Sequence, residues 1–390
     1  MESIKKLLYN TIIGLSNALV RHTNKHDIIL FNSFPDYSDN AAYLYRYIQK
    51  NRPDISGRYK LIWTGKQLPS DIDGHLGMNI VRKKSIKGYW LMLHARYIVI
   101  THQYYYGYIS ANGQCILNLW HGCGYKGMTD DDIKYRNGDY NIVTSDVFIR
   151  SHSRAFQIPA ENILVTGLPR NDALFESGKQ LLKKLDIDRD KYHKILIWMP
   201  TYRKAKTGHV SLDGDASGFG AYSMSRSQFE KINDLFQSNG YYLIIKPHPM
   251  DSATTDKANT LTNIKCITNE DLDKAHVALY SLLTETDVLL SDYSSIIVDY
   301  LLLDRPIVLV MSDTDAYKNS RGFTFENIDD YNPGPVISDF NGLYTYFDHL
   351  DEINKRYEEK RRRISGMLHR YHDGNSCKRV CDAIWGECNE

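Results

Sequence analysis

The sequence predicts an α/β protein built from two domains with parallel sheets, and three observations predict it. Its 390 residues exceed the roughly 250–300 that a single hydrophobic core organises. Short β-rich runs alternate with helical patterns, as βαβ units do. Chemically unusual polar residues recur just after those apolar runs, where open parallel sheets gather ligands.

Along the chain, residues 3–21 place Ile4, Leu7, Leu8, Ile12, Leu15 and Leu19 at helical spacing, flanked by Lys5, Lys6, Arg21 and Lys25. Two readings stay open for this segment: a basic amphipathic helix lying in a membrane interface, or an N-terminal helix docked on its own domain. From residue 27 come the strand "DIILFNSF", a helix from about Asn40 to Lys50, "YKLIWTG", the helix "SIKGYWLMLHA", then "RYIVITH", "CILNLWH", "YNIVTSD" and "NILVTG". A charged stretch read as helical, "ESGKQLLKKLDIDRDKY", leads to a second set: "KILIWMPTY", helix "SRSQFEKINDLFQSNG", "YYLIIKPHP", "NIKCITN", helix "AHVALYSLLTETD", "VLLSDYSS", helix "SIIVDYLLL" and "RPIVLVM". The expected blocks are therefore residues 1–25 as the amphipathic helix, 26–175 and 176–365 as α/β domains, and 366–390 as a helical tail. A cleft between two such domains is the natural ligand site. The Gly/Ser/Asp-rich stretch "SLDGDASGFGAYSM" reads as a mobile active-site loop or a surface excursion.

Composition narrows the function classes. With 42% hydrophobic and 24% charged residues the chain is globular, and no run of about 18 apolar residues could span a bilayer. Lys plus Arg number 48 against 47 acidic residues, so bulk charge gives no reason to expect nucleic acid. The scattered cysteines suit a reducing cytosol. No small-residue cleavage site marks a signal peptide.

Five strand ends carry candidate chemistry. In "SDYSSIIVDY", Asp292 precedes Ser294 and Ser295 at an expected helix start, with Asp299 about one turn on. Exposed N–H groups and two hydroxyls there would hold phosphate, although an ordinary Ser cap looks the same. In "KPHP", Lys246 and His248 alternate between prolines that stiffen the segment. A fixed cation beside an imidazole suits a diphosphate. "MPTYRK" adds Thr201, Arg203 and Lys204, and Arg favours bidentate phosphate contact. Arg170 lies in "GLPRND", which reads as a turn into the next helix.

The fifth strand end, "NLWHGCGYKG", contains a literal G-x-G-x-x-G at Gly122, Gly124 and Gly127. A dinucleotide fingerprint should turn from the first strand into a long helix. This one follows about the fourth strand, and only a short polar stretch separates Gly127 from Gly138. The stronger reading is that the glycines free the backbone around His121, an imidazole suited to general base work. His369, His372, Cys377 and Cys381 lack paired zinc spacing, and Tyr104, Tyr105 and Tyr106 could line an acceptor groove or simply pack.

Together these motifs resemble the CDP-glycerol glycerophosphotransferase family, the teichoic-acid primases and polymerases of Gram-positive bacteria and related capsule enzymes. "WHGCG", "GLPRND", "PTYR", "KPHP" and "SDYSSIIVD" are followed by "RGFTFE" at 321–326 and "YNPGPV" at 331–336, seven in matching order. The resemblance implies a GT-B-like fold and transfer of a polyol phosphate from CDP-glycerol or CDP-ribitol to a hydroxyl of a lipid-linked saccharide acceptor, releasing CMP. It implies that His121 is the base and that His248 polarises the donor phosphates. Around them it implies Thr201, Arg203, Lys246, Asp292, Ser294, Ser295, Asp299, Arg321 and Gly322 on the donor, with Gly122, Lys126 and Arg170 on the acceptor side.

The chain departs from the family at Cys123, where Thr is common, and in "GYKGM", where "PLKKIG" is. No D-x-D pair demands a metal, so no cofactor is required, while Mg²⁺ accompanying the donor diphosphate is compatible with these residues. A lipid-linked acceptor places the enzyme at the cytoplasmic face of the cell membrane as a peripheral protein, and the length fits a primase or short-chain transferase as well as a long-chain polymerase. The rivals are a GT-B glycosyltransferase using a nucleotide sugar and a non-catalytic module that recognises polymer at the membrane.

Overall fold

A computed structural model describes residues 2–66, 79–128, 136–176, 180–200, 220–221, 223–247, 261–312 and 322–387, with side chains from residue 7 onward. The chain divides into two compact units. The first comprises Met1–Gly122, Thr129–Asp172 and Asn375–Glu390, and the second comprises Cys123–Met128 and Ala173–Gly374. The division differs from the expected blocks at both ends, because neither the N-terminal helix nor the last helix stands apart as a unit.

The first unit is a seven-stranded sheet of β1 (His26–Asn32), β2 (Lys60–Gly65), β3 (Asn79–Arg82), β4 (Ala95–Ile100), β5 (Cys115–Asn118), β6 (Tyr140–Val143) and β7 (Ile163–Val165). Its order is β3-β2-β1-β4-β5-β6-β7, with every neighbouring pair parallel. Successive residues of β1 point to opposite faces, and both faces are apolar. Ile29 and Phe31 pack with Trp63, Val99 and Leu117 under the helix Asp39–Asn51. Ile28 and Leu30 pack with Ile62, Ile98 and Ile100 under the helix Ile86–His94. Burial on two sides is why these strands read as continuous apolar runs. The four-residue edge strand β3 is absent from the sequence-based expectation because it is short and only part-buried.

Both readings of the N-terminal helix, Glu2–Leu19, find something in the structure. Ile13, Ser16 and Val20 are buried against the first unit, and Asn17 donates to Gly107 O (2.8 Å) while accepting from Ile109 N–H (3.0 Å). The helix is docked. Yet Leu7, Leu8, Leu15 and Leu19 stay 52–69% exposed, an apolar face that its own unit leaves uncovered. Lys25 is not a free basic flank, since its ammonium donates to the carbonyls of Val20, Thr23 and Leu93 and closes the helix end. Among the described residues no helix is long and apolar enough to cross a membrane.

The terminal helix Ser376–Trp385 buries Cys377, Val380 and Cys381 in the first core. Asp172 fixes its start by accepting the N–H groups of Ser376 and Cys377 at 2.8 Å each. Gly167 is needed there for space and conformation, since its φ is +80 and a Cβ at this position would lie only 2.5 Å from Ser376 Oγ.

The second unit repeats the design with β8 (Lys194–Trp198), β9 (Tyr241–Ile245), β10 (Ile264–Cys266), β11 (Val288–Ser291), β12 (Ile307–Val310) and β13 (Val336–Ile337), ordered β10-β9-β8-β11-β12-β13 and parallel throughout. The helix Arg226–Asn239 begins in a Ser225/Gln228 capping box and ends at Gly240, φ +66, as capping chemistry requires. It covers Leu196, Leu243 and Leu290 with Phe229, Ile232 and Phe236.

Over its described residues the charged stretch before β8 is not an α-helix. It forms two 3₁₀ turns, Leu182–Leu185 and Arg189–Lys191, broken by Asp186 in the left-handed region and tied down where the Glu285 carboxylate accepts Leu181 and Leu182 N–H. Likewise "AHVALYSLLTETD" is helical only over Leu279–Leu283. The basic segment 352–368 belongs to the second unit as parts of Leu350–Arg356 and Glu358–Leu368, with Arg361 and Arg362 both on the Asp304 carboxylate.

In each sheet the strand order reverses between the first and fourth strands, at β1/β4 and at β8/β11. That crevice beyond the carboxyl ends is where such folds bind ligands.

Candidate active site

His121 stands on a turn held by two side-chain amides. β5 ends at Asn118, whose side-chain oxygen accepts Trp120 N–H at 2.9 Å. Trp120 adopts φ +51, a left-handed conformation that a bulky residue enters only under constraint. The constraint comes from Asn40, fully buried at the start of the helix Asp39–Asn51, which donates to Trp120 O at 2.9 Å and accepts Arg170 N–H at 3.1 Å. Arg170 also pairs with Asp39 at 2.8 Å, both side chains largely buried. Arg170 therefore braces the His121 turn against "GLPRND", which forms the 3₁₀ segment Pro169–Phe175.

His121 itself is exposed and stacked. Its ring lies 3.9 Å from Trp120 and 4.6 Å from His102, nearly parallel to the latter at 14°. His102 follows β4 as His121 follows β5, so the rule that selects His121 selects it too, although it is not among the residues expected from the sequence. Thr101 Oγ1 accepts Phe34 N–H at 3.2 Å and lies 3.2 Å from His102 Nδ1. That oxygen keeps a second lone pair besides the one Phe34 N–H occupies, so it serves Nδ1 as donor or acceptor according to the ring tautomer. Burial, opposed by Asp39 and aided by Lys83, lowers the His102 pKa, which favours the neutral ring.

The glycines of the same loop do not build a dinucleotide site. Gly122 has φ +139, and after it the chain enters the second unit as an extended segment rather than a helix. Lys126 pairs antiparallel with Phe323, Gly127 N–H donates to Gly322 O (2.9 Å), and Thr324 N–H donates to Tyr125 O (2.8 Å). Thr324 Oγ1 reaches Gly124 O at 2.8 Å, while Tyr125 OH donates to Tyr331 O at 2.8 Å. The motifs "RGFTFE" and "YNPGPV" thus clasp "GCGYKG", with Phe325 stacked on Tyr331 at 3.8 Å. Lys126, expected on the acceptor side, belongs to the second unit. Cys123, the departure from the family, is buried. Gly124 lies so near Ser295 that a Cβ would sit 3.0 Å from its Cβ.

That contact brings Gly124 of the second unit onto the Ser294–Ser295 turn. Ser294 Oγ accepts Ile296 N–H at a long 3.4 Å, and Ser295 makes no side-chain cap bond. The helix they open, Ile296–Tyr300, has five residues before a 3₁₀ turn, so its dipole is small and anion binding there must rest on local N–H and O–H groups. Asp292 is buried. Asp299, expected on the donor, is fully buried and accepts Tyr280 OH at 2.6 Å.

Lys246 closes β9, its N–H donating to Trp198 O at 2.9 Å. Burial, partly opposed by Asp273, pulls its pKa down to about 8. Ser291 Oγ donates to Met199 O at 2.7 Å across the β8/β11 crevice. Thr201, Arg203, Lys204, His248 and Arg321, and most of "SLDGDASGFGAYSM", lie outside the described residues. The metal-like quartet is spent on packing: His369 Nε2 bonds Val298 O (2.7 Å), His372 Nε2 meets Ser365 Oγ (3.0 Å), and Cys377 faces Pro169 O.

Residues 15–386 match the CDP-glycerol:poly(glycerophosphate) glycerophosphotransferase family. The chain belongs to that family. It is 26% identical over 386 residues to the teichoic acid ribitol-phosphate polymerase TarL of Staphylococcus aureus, covering 94% of this chain but 63% of TarL. To the teichoic acid glycerol-phosphate transferase of the same organism it is 25% identical, covering 98% of this chain and 99% of the relative. Its fold matches that of a variant of the wall teichoic acid polymerase TagF with a TM-score of 0.75 at 22% identity, over 98% of this chain and 94% of the other. Another variant of TagF has been solved after a soak with CDPG. The family member is thus a transferase of α/β fold, with two parallel sheets of Rossmann-type strand order.

Proposed function

We propose that the protein transfers glycerol phosphate or ribitol phosphate from a CDP-activated donor to a hydroxyl of a lipid-linked saccharide acceptor in teichoic acid or capsule-type polymer synthesis. The observation that carries the reading is the family match over nearly the whole chain, joined to an exposed histidine on a braced turn. His121 takes the proton of the acceptor hydroxyl. The oxygen attacks the distal phosphorus of the donor, a P–O bond forms, and the P–O bond to CMP breaks with CMP leaving as the anion.

Such transfer asks for positioning and charge neutralisation more than covalent catalysis. Lys246, Ser294, Ser295 and Gly322 of the second unit serve the donor phosphates, together with Thr201, Arg203, His248 and Arg321; Asp292 and Asp299 hold the turn behind them. Gly122 and Arg170 set the acceptor side of His121, and Lys126 works from the second unit. Mg²⁺ bound with the donor is compatible with this scheme and required by none of these residues. The outward leucines of the N-terminal helix support a peripheral place on the cytoplasmic face of the membrane, where a lipid-linked acceptor is met.

The test is to incubate purified protein and a lipid-linked disaccharide with CDP-glycerol, CDP-ribitol and a panel of UDP-sugars, and to follow nucleotide release and product mass. CMP release with a mass gain of one or more polyol phosphates is expected. Release of UDP with sugar transfer would replace the reading with a GT-B glycosyltransferase.

A further inference from the structure

One charged group of the first unit has no role in the transfer scheme. Lys83 follows β3 and leads into the helix Ile86–His94, and its backbone is fixed on three sides. Its N–H donates to Gly65 O at 2.7 Å, its carbonyl accepts Tyr105 OH at 3.1 Å, and Gly88 packs so tightly on that carbonyl that a Cβ would lie 2.3 Å away. The ammonium is held as firmly. It donates to Asn32 Oδ1 at 2.9 Å and sits 4.3 Å and 4.8 Å from the ring centres of Tyr104 and Tyr105. Asn32 is itself locked by donating to Thr64 O at 2.6 Å.

No carboxylate among the described residues lies within ion-pairing distance of this ammonium. A half-buried lysine supported by an amide and two aromatic faces, with N–H groups to spare, is a poor stabilising device, because the cost of desolvating its charge is only partly offset by Asp36, which lies beyond ion-pairing distance. It is a good anion receptor. Asn32 ends β1 and His102 follows β4, so the group stands at the strand-order reversal of the first sheet, and His102 carries the stacked His121.

We propose that Lys83, with Asn32 orienting it and the His102 ring beside it, forms a phosphate-binding subsite for the acceptor in the first unit. This rests on the polyol-phosphate transfer reading. The chemistry shared by the acceptors is a phosphate ester, present either as the phosphodiester of a terminal polyol unit or as the diphosphate of the lipid linkage. Lys83 holds that group so that the adjoining hydroxyl reaches His121. Burial, opposed by Asp36 and aided by Lys66 and Lys84, pulls the Lys83 pKa down to about 7, so an arriving phosphate supplies the missing counter-charge.

The experiment compares wild type, Lys83→Met and Lys83→Arg with three acceptors of one saccharide: on a lipid diphosphate, on the same lipid diphosphate with one polyol phosphate added, and on a neutral alkyl chain. Loss of a charge-assisted contact should raise the acceptor KM about tenfold or more in Lys83→Met, with the donor KM and the KM for the alkyl acceptor near wild type, a melting temperature at or above that of wild type, and much of the loss restored in Lys83→Arg. A rise confined to the polyol-bearing acceptor assigns the subsite to the phosphodiester, and an equal rise with both lipid acceptors assigns it to the diphosphate. An unchanged KM for both, or an equal rise with the alkyl acceptor, overturns the subsite. If wild type releases no CMP from either CDP-polyol, the transfer reading itself fails and the inference with it.

Discussion

The two sheets share the strand order 3-2-1-4-5-6, yet they furnish the crevice beyond the first and fourth strands differently. In the first unit it holds rings and amides: His102 beside Phe34, His121 stacked on both His102 and Trp120, and the ammonium of Lys83 on Asn32. In the second it holds a buried lysine at β9, a serine turn after β11 and two buried aspartates behind that turn. On the proposed transfer reading, one fold is fitted once for an acceptor hydroxyl that must lose a proton and once for a donor diphosphate already charged. Function follows from the residues at the strand ends, not from the strand order.

The sharpest way to break this comparison is His121→Ala. If the first unit supplies the base, transfer should fall by about two to four orders of magnitude, while CDP-polyol affinity, measured by calorimetry, stays within about twofold. An equal loss of donor affinity would show that the units do not divide the work.

Much of this division is legible locally. His121, Lys246 and Ser294–Ser295 each follow an apolar run, and a strand end needs only a few residues to announce itself. His102 meets the same rule within "VITHQ" but has no glycine beside it to draw attention to the turn. Lys83 is hidden because β3, four part-buried residues at the sheet edge, has too short a pattern to read. The clasp of Phe323 on Lys126 joins residues far apart along the chain, and no local pattern carries it. Asp299 reads as a ligand because it lies one turn inside a helix start, but only packing decides that it faces Tyr280. The segment 182–191 misleads for a physical reason: its leucines have helical spacing, while Asp186 in the left-handed region and the Glu285 cap favour two tight turns.

Lys246→Met tests the other half. Removing the buried cation should raise the donor KM about ten- to a hundredfold and leave the acceptor KM unchanged. Two further signs follow from its depressed pKa. In the free enzyme the ammonium is present below about pH 8 and lost above it, so kcat/KM for the donor should fall as pH rises through about 8, and Lys246→Met should flatten that limb. Because the folded state binds this proton less tightly than the unfolded chain does, the charge opposes folding below about pH 8. Lys246→Met should therefore raise stability at neutral pH, by up to about 3 kcal/mol. Thermal melts at pH 7 and pH 10 should show that gain shrinking at the higher pH; a variant that loses stability at pH 7 would mean the lysine is held by favourable contacts and not kept for donor binding.

The smallest expected effect probes how the first unit fixes His121. Asn40 joins the His121 turn to the Arg170 segment through two hydrogen bonds, both made by a fully buried side chain. Asn40→Ala leaves Trp120 O and Arg170 N–H without this partner, a destabilisation of about 1–3 kcal/mol, and it removes the restraint that keeps Trp120 at φ +51. The His121 ring then samples orientations off the His102 stack. kcat should fall about tenfold, less than for loss of the imidazole, with the donor KM unchanged. Asn40→Asp separates the two bonds, since it keeps an oxygen for Arg170 N–H and sets a second one against Trp120 O. If the turn matters through Trp120, Asn40→Asp should match Asn40→Ala in kcat while recovering part of its stability; full activity in Asn40→Asp would place the constraint at Arg170 instead.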